Sequence, residues 1–403
     1  MSSSPPDSVG PVPARPPQRP QPGPTPDVPP DAFGLYVHVP FCARACPYCD
    51  FDFRVDARPD GGALLAALER ETQSRDDARL GEAPYSIYVG GGTPSVLSAE
   101  HLGALLGWVS NTWSAEDCVE WTVEFNPEHV DAARLESLQR AGVGRISLGV
   151  QSFDPVGLRQ LGRAHDPDQA CEAIEAAQRR GLAVSVDLIV GWPGQSMDGL
   201  RGELQRVLSL GAEHVSVYAL TIEPGTPWER LAERGVRRLP QLDDAADALE
   251  CCATVLGNAG FTHYEVASYA RGGVFAVHNS GYWLGRDYVG VGPSAASAQH
   301  RHDGVARRSN ARGSEWWAGE PASIEQLESE NAAREALWLS LRLLEGVEID
   351  AFLRRVHRDR AWLEARTARA RARGNVTLEG ARMRVAPGRW MHHDDIAADV
   401  LSM

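Results

Sequence analysis

Cys42, Cys46 and Cys49 stand at C-x3-C-x2-C spacing just past the apolar run Leu35-Tyr-Val-His-Val-Pro-Phe. Iron–sulfur clusters are held by cysteine thiolates, usually four of them. Three thiolates leave one iron of a four-iron cluster without a protein ligand, and an open position marks a catalytic metal rather than a structural one. A zinc site would want a fourth Cys or His at ligand spacing. The next cysteine, Cys118, stands alone, and His38 lies inside the apolar run. Seven cysteines, an odd number in a chain of 403 residues, do not suit a disulfide framework. Cys118, Cys171, Cys251 and Cys252 read as small core or helix residues.

A reactive loop of this kind needs a scaffold, and the chain supplies a repeated strand–loop–helix pattern. Strands are expected at Gly34–Val39, Ser86–Val89, Val119–Phe125, Arg145–Val150, Ala183–Val190 and His214–Leu220. Helices are expected at Gly62–Asp76, Glu100–Trp113, Ala132–Ala141, Asp168–Arg180, Met197–Leu210 and over 240–260. Short strands alternating with helices imply an α/β fold on a parallel sheet, closed by right-handed crossovers into a full or partial (β/α) barrel. In such barrels the loops after the strands all open on one face. The distinctive residues fall there: the cysteines after the first strand, Gly90-Gly-Gly-Thr-Pro94 after the second, and Glu124 near the end of the third. Gln151 lies just beyond the fourth, and Asp187 lies in the fifth.

Composition narrows the function further. The net charge of −14 argues against a dedicated nucleic-acid binder, whose affinity rests on cations facing phosphate. Lysine is absent, which removes Schiff-base chemistry and leaves arginine as the strong partner for carboxylates. Residues 1–30 form a Pro-rich tail with no apolar secretion-signal core, and no apolar run is long enough for a membrane helix. A cytoplasmic protein is expected. Four regions follow: the tail (1–30), a barrel (31–260), an aromatic-rich segment (261–330) and a small C-terminal unit (331–403). The last reads as helix–helix–hairpin, a winged-helix-like module. Its Arg354–Arg373 stretch carries eight arginines, read either as a nucleic-acid face or as an ordinary solvated helix.

Together, LYVHVPFCARACPYCDFDF, YVGGGTPS, EFNPE, LGVQSF and VDLIVGWPGQ resemble the radical S-adenosylmethionine (SAM) enzymes, and within them the oxygen-independent coproporphyrinogen III oxidase family. The decarboxylase branch carries a further cysteine two residues after the third; here that position is Phe51. CARACPYCDF and His278-Asn279-Ser-Gly-Tyr282-Trp283 are similar to the haem chaperone branch instead. The resemblance implies a radical SAM barrel with a [4Fe–4S] cluster on Cys42, Cys46 and Cys49, the open iron taking SAM. It implies SAM contacts at Tyr36, Tyr48, Gly92, Thr93, Glu124, Gln151, Arg163 and Asp187, with Arg163 pairing the SAM carboxylate. It implies haem binding and delivery to client haem proteins, membrane-bound ones included, with an electron donor reducing the cluster. The decarboxylation of coproporphyrinogen III is the alternative. For haem, the candidate residues are His278, Asn279, Tyr282 and Trp283. A neutral imidazole is a standard axial donor, and the other reading of His278 is a buried, hydrogen-bonded structural histidine.

Overall fold

The computed structural model describes Pro29 and residues 31–401. The expected Pro-rich tail therefore lies, but for Pro29, outside the described residues. Six parallel strands form the centre: β1 (Phe33–Val39), β2 (Ser86–Gly91), β3 (Glu120–Phe125), β4 (Arg145–Gln151), β5 (Ala183–Val190) and β6 (His214–Ala219). Between them run α1 (Gly61–Gln73), α2 (Ala99–Thr112), α3 (Ala132–Ala141), α4 (Pro155–Gln160), α5 (Pro167–Arg179) and α6 (Met197–Ser209), followed by α7 (Pro227–Glu233) and α8 (Leu242–Asn258). Local chemistry sets the helix starts. Asp60, Asp131 and Ser196 each accept from a first-turn amide, and Asp166 and Gln169 form a capping box with Pro167 at the first position.

A period of two divides every central strand between two environments. Leu35 and Val37, Ile87 and Val89, Val123 and Phe125, Ile146 and Leu148, Val186 and Leu188, and Val215 and Val217 turn outward into the main core. There they join Leu102, Leu105 and Leu106 of α2, Ala170 and Ile174 of α5, and Leu200 and Leu204 of α6. The alternate residues, among them Tyr36, Tyr88, Thr122, Glu124, Ser147, Ser185, Asp187 and Ser216, line a cavity inside the curled sheet. The helices thus face an apolar wall while the interior is polar, which is the division a ligand-binding barrel needs.

The expected boundary at residue 260 is not a break in the sheet. β7 (Thr262–Glu265) and β8 (Ser268–Ala270) add antiparallel strands beside β6. The chain then crosses through α9 (Val277–Trp283) to the opposite edge. There β9 (Asp287–Val291) pairs in parallel with β1, and β10 (Ala296–Arg301), β11 (Gly304–Ser309) and β12 (Ser323–Glu328) continue antiparallel. Twelve strands run in the order β12-β11-β10-β9-β1-β2-β3-β4-β5-β6-β8-β7, a partial barrel with antiparallel wings. A short helix, α10 (Gly313–Trp317), lies between β11 and β12.

The C-terminal unit has its own core, including Leu337, Phe352, Leu363, Met383 and Ile396. Its order is α11 (Ser329–Ser340), β13 (Val347–Glu348), α12 (Ile349–Val356), α13 (Arg360–Ala372), β14 (Val376–Glu379), β15 (Arg382–Val385) and α14 (His393–Leu401). The Arg-rich stretch is two helices, because His357 adopts a left-handed cap and Asp359 starts the next helix. Its arginines are largely paired: Arg358 and Arg366 bond Glu330, and Arg369 and Arg373 flank Asp399. That is the solvated-helix reading, with its charge spent inside the module.

Candidate functional site

The cysteine loop leaves β1 at Val39 and is pinned at several points. Phe41–Cys42 pairs with Arg54–Val55, and the Trp228 amide donates to the Pro47 carbonyl at 2.8 Å. Tyr48 packs on the buried cluster of Leu161, Ile189, Trp192, Leu220 and Trp228. This explains an aromatic before the third cysteine: it anchors the loop against the ends of β5 and β6 and the helices α4 and α7. All three thiols are half-buried and line a cavity of about 1030 Å³, at the large end for small-molecule sites.

The donor set fits an iron–sulfur cluster. Burial pushes the Cys42 thiol up to about 11, against a hydrogen bond from Thr93, and burial also raises Cys49. Bound iron would supply the positive charge that turns such thiols into thiolates. The Thr93 hydroxyl lies 3.5 Å from Cys42 Sγ, and Arg163 Nη1 lies 3.6 Å from Cys46 Sγ, so both present hydrogens to sulfur. Among the described residues no three His, Cys, Asp or Glu side chains converge on a single-ion site. Gly92 is required here, since a Cβ would sit 2.6 Å from the Phe41 carbonyl oxygen.

The residues expected to contact SAM converge on the same cavity. Glu124 accepts from the Tyr88 hydroxyl at 2.6 Å and from the Gly91 amide at 3.2 Å. Burial, reinforced by Asp187, pushes its carboxyl up to about 7. Asp187 accepts from Ser147 at 2.9 Å, and burial raises it too. Gln151 has φ of 67° where β4 carries an extra residue against β5. That bulge re-aims its side chain, whose buried Oε1 has no partner in the structure. Arg163 donates to Asn126 Oδ1 at 2.5 Å and to the Gly149 carbonyl at 2.8 Å, while its buried Nε is unpaired. Tyr36 bonds His38 across 3.1 Å, and burial holds its hydroxyl protonated. Unmatched polar atoms aimed into a large cavity are what a bound polar cofactor would satisfy.

Several lining residues were not singled out from the sequence. Tyr88, Ser147, Arg145, His214 and Tyr218 all line the cavity. Each sits at an inward position of its strand, so the alternation that located Glu124 and Asp187 could have found them. Asn126 and Glu128 lie in the quoted EFNPE motif. Asn126 holds Arg163, and Glu128 pairs with His165 at 3.3 Å. Burial works against the Glu128 carboxylate, but His165 and Arg163 outweigh it and hold it at about 2.

The HNxxYW residues do not form one platform beside the cysteines. Glu120 begins β3 and accepts from the Val277 and His278 amides at 2.6 and 3.4 Å. The helix α9 therefore closes the end of the barrel where the strands begin, opposite the cysteine loop. His278 is buried, with Nδ1 2.9 Å from Ser86 Oγ and Nε2 2.8 Å from the Tyr282 hydroxyl. Burial lowers its pKa to about 3, so the ring is neutral and both nitrogens are engaged. This is the geometry of the structural histidine, and an axial role would require Tyr282 or Ser86 to let go. His278, Asn279 and Tyr282 line the cavity floor. Trp283 instead turns to the C-terminal module, with the Arg342 guanidinium carbon 4.2 Å from its ring centre. At 100° per residue, positions 278 and 282 share a face of the helix and 283 does not.

Comparisons with known proteins agree with this architecture. The model of the Radical SAM superfamily matches residues 36–207. A protein of Mycobacterium tuberculosis named heme chaperone HemW is 37% identical over 349 residues, 83% of this chain and 87% of that protein. The protein of the same name from Lactococcus lactis is 34% identical over 79% of this chain and 83% of its own length. Among solved structures, the coproporphyrinogen III oxidase of Escherichia coli, a radical SAM enzyme, superposes with a TM-score of 0.76. It covers 92% of this chain and 90% of its own at 20% identity, a likeness of fold.

Proposed function

Because the chain belongs to the haem chaperone family of the radical SAM superfamily, we propose that it binds haem and hands it to haem-dependent proteins. The observation that carries this reading is the near full-length identity to relatives named as haem chaperones. Phe51, at the position of the decarboxylase branch's additional cysteine, supports the same choice.

Cys42, Cys46 and Cys49 would hold a [4Fe–4S] cluster, which when bound would supply reductive radical chemistry toward SAM. The chain's own part is to bind and orient. Arg163, fixed by Asn126 and Gly149, keeps its Nε unpaired, a donor that a carboxylate could take. Glu124 and Asp187 offer acceptors for ribose hydroxyls, and the positions of Gly91 and Gly92 let backbone approach closely. Tyr48 and its apolar cluster shield the loop from water on one side. An electron donor and client haem proteins, membrane-bound ones included, are the partners this role requires. No described helix is long and apolar enough to cross a membrane, and we place the chaperone in the cytoplasm.

The test is transfer. The haem-loaded, cluster-reconstituted protein is mixed anaerobically with a haem-depleted haem enzyme, and recovery of that enzyme's activity is followed. Recovery faster than with free haemin at equal concentration supports the proposal. Absence of transfer, together with protoporphyrinogen formed from coproporphyrinogen III, would replace it with the decarboxylase reading.

A further inference from the structure

Inside the barrel an arginine is buried without a full set of partners. Arg145 opens β4 at an inward position, in register with Thr122 of β3 and Ala183 of β5, and is 3% exposed. It lines the cavity, and its Nη1 has no hydrogen-bond partner among the described residues. It pairs with Glu120 across 3.8 Å, close enough to balance charge but too far for a hydrogen bond. A buried guanidinium donor left unmatched is costly, and in folded proteins such a group is met by a ligand or by water.

The groups around Arg145 are committed elsewhere. Glu120 accepts from the Val277 and His278 amides at 2.6 and 3.4 Å and from the Thr122 hydroxyl at 3.1 Å. Burial, and then Arg145 itself, holds His214 neutral, well below its ordinary range. Its Nδ1 lies 2.7 Å from Ser185 Oγ and its Nε2 lies 2.8 Å from the Tyr264 hydroxyl, so neither nitrogen is left to accept. Asp187, which Arg145 also draws down against burial, accepts from Ser147. One carboxylate, Glu120, thus links Arg145 to the start of α9. On that helix His278 stacks on Tyr88 with ring centres 5.3 Å apart, and Tyr282 meets His278 edge-on at 5.1 Å. An aromatic face beside an unmatched guanidinium is complementary to a flat apolar ring bearing a carboxylate.

We propose that Arg145 is the carboxylate anchor of the cavity floor, taking a propionate of haem seated against α9. This rests on the haem-binding reading above and adds how the cargo is held. It gives two of the cavity's arginines separate duties: Arg163, by the cysteine loop, serves the SAM carboxylate, and Arg145, at the other end, serves the cargo. The carboxylate of SAM is the other source of the same chemistry, and the experiment separates the two.

Haemin and its dimethyl ester, which lacks the propionate charges, are titrated separately into the cluster-reconstituted protein and followed at the Soret band. The native protein is expected to hold haemin roughly tenfold or more tighter than the ester, the worth of a hydrogen bond between charged groups. Replacing Arg145 alone would strand the Glu120 charge, so Arg145→Gln is combined with Glu120→Gln, with iron and sulfide per chain as the check on assembly. In that double variant haemin and ester should bind alike, and SAM affinity, read by equilibrium dialysis, should be unchanged. Arg145→Lys, which keeps the charge and loses the fork, should retain only part of the preference, and it serves where the double variant fails to assemble its cluster. Equal affinity of the native protein for haemin and ester, an undiminished preference in either variant, or a loss confined to SAM would overturn the anchor. No saturable haemin transition in the native protein would instead overturn the haem-binding reading itself.

Discussion

At the scale of single residues, the cavity combines groups whose burial sets their protonation. Glu124 has a folded-state value near 7, above its ordinary carboxylate range, because burial and Asp187 disfavour its charge. The protonated form therefore favours the fold fully at low pH, and that contribution is lost as pH rises through about 7. The ligand-free protein should lose stability relative to Glu124→Gln between the ordinary carboxylate range and neutrality, by on the order of 3 kcal/mol. Thermal unfolding of both proteins across that range measures it, and parallel profiles would contradict the burial argument. Cys42, Cys46 and Cys49 stood out by their spacing in the loop after β1, and the inward acids because carboxylates are unusual in barrel strands. The buried, hydrogen-bonded reading of His278 was legible, but its Ser86 partner was not, because Ser86 comes from a strand nearly two hundred residues earlier.

Elements explain what the sequence hid more broadly. The central strands and helices fall within a few residues of their expected positions, since each carries its own alternation, cap or apolar face. The wings do not announce themselves: half of β10 and nearly all of β12 face solvent, so they carry little apolar alternation. Their docking relies on one half-buried residue of α1. Glu71 accepts from Arg75 at 2.7 Å, Asn310 at 2.7 Å, the Gly292 amide at 2.8 Å and Trp316 at 3.0 Å. Arg75 in turn bonds the Gly290 carbonyl and Ser297. Removing one member of such a buried charged network costs about 3 to 5 kcal/mol. Glu71→Ala should destabilise the fold by that order in urea unfolding. A loss below about 1 kcal/mol, the scale of an exposed pair, would show that the wing is held by other contacts.

Across the whole molecule, the sheet carries chemistry at one end and connections at the other. The C-terminal module joins on the floor side through Trp283 with Arg342 and through Arg342 with Glu265 at 3.2 Å. Within it, Asp399 is almost fully buried between Arg369 and Arg373, so Asp399→Ala should destabilise the module by about 3 kcal/mol or more. Differential hydrogen exchange would localise that loss to residues 329–401, and an even loss across the barrel would contradict an independent module core. The paired arginines and the net charge of −14 agree in predicting no retention of DNA or RNA at low salt.

The central claim is that this radical SAM barrel carries haem. Anaerobic titration of the cluster-reconstituted protein with haemin, read at the Soret band, tests it most directly. The account predicts a saturable transition near one haem per chain with the cluster's iron retained. A linear, unsaturating response from a protein with its cluster intact would contradict it.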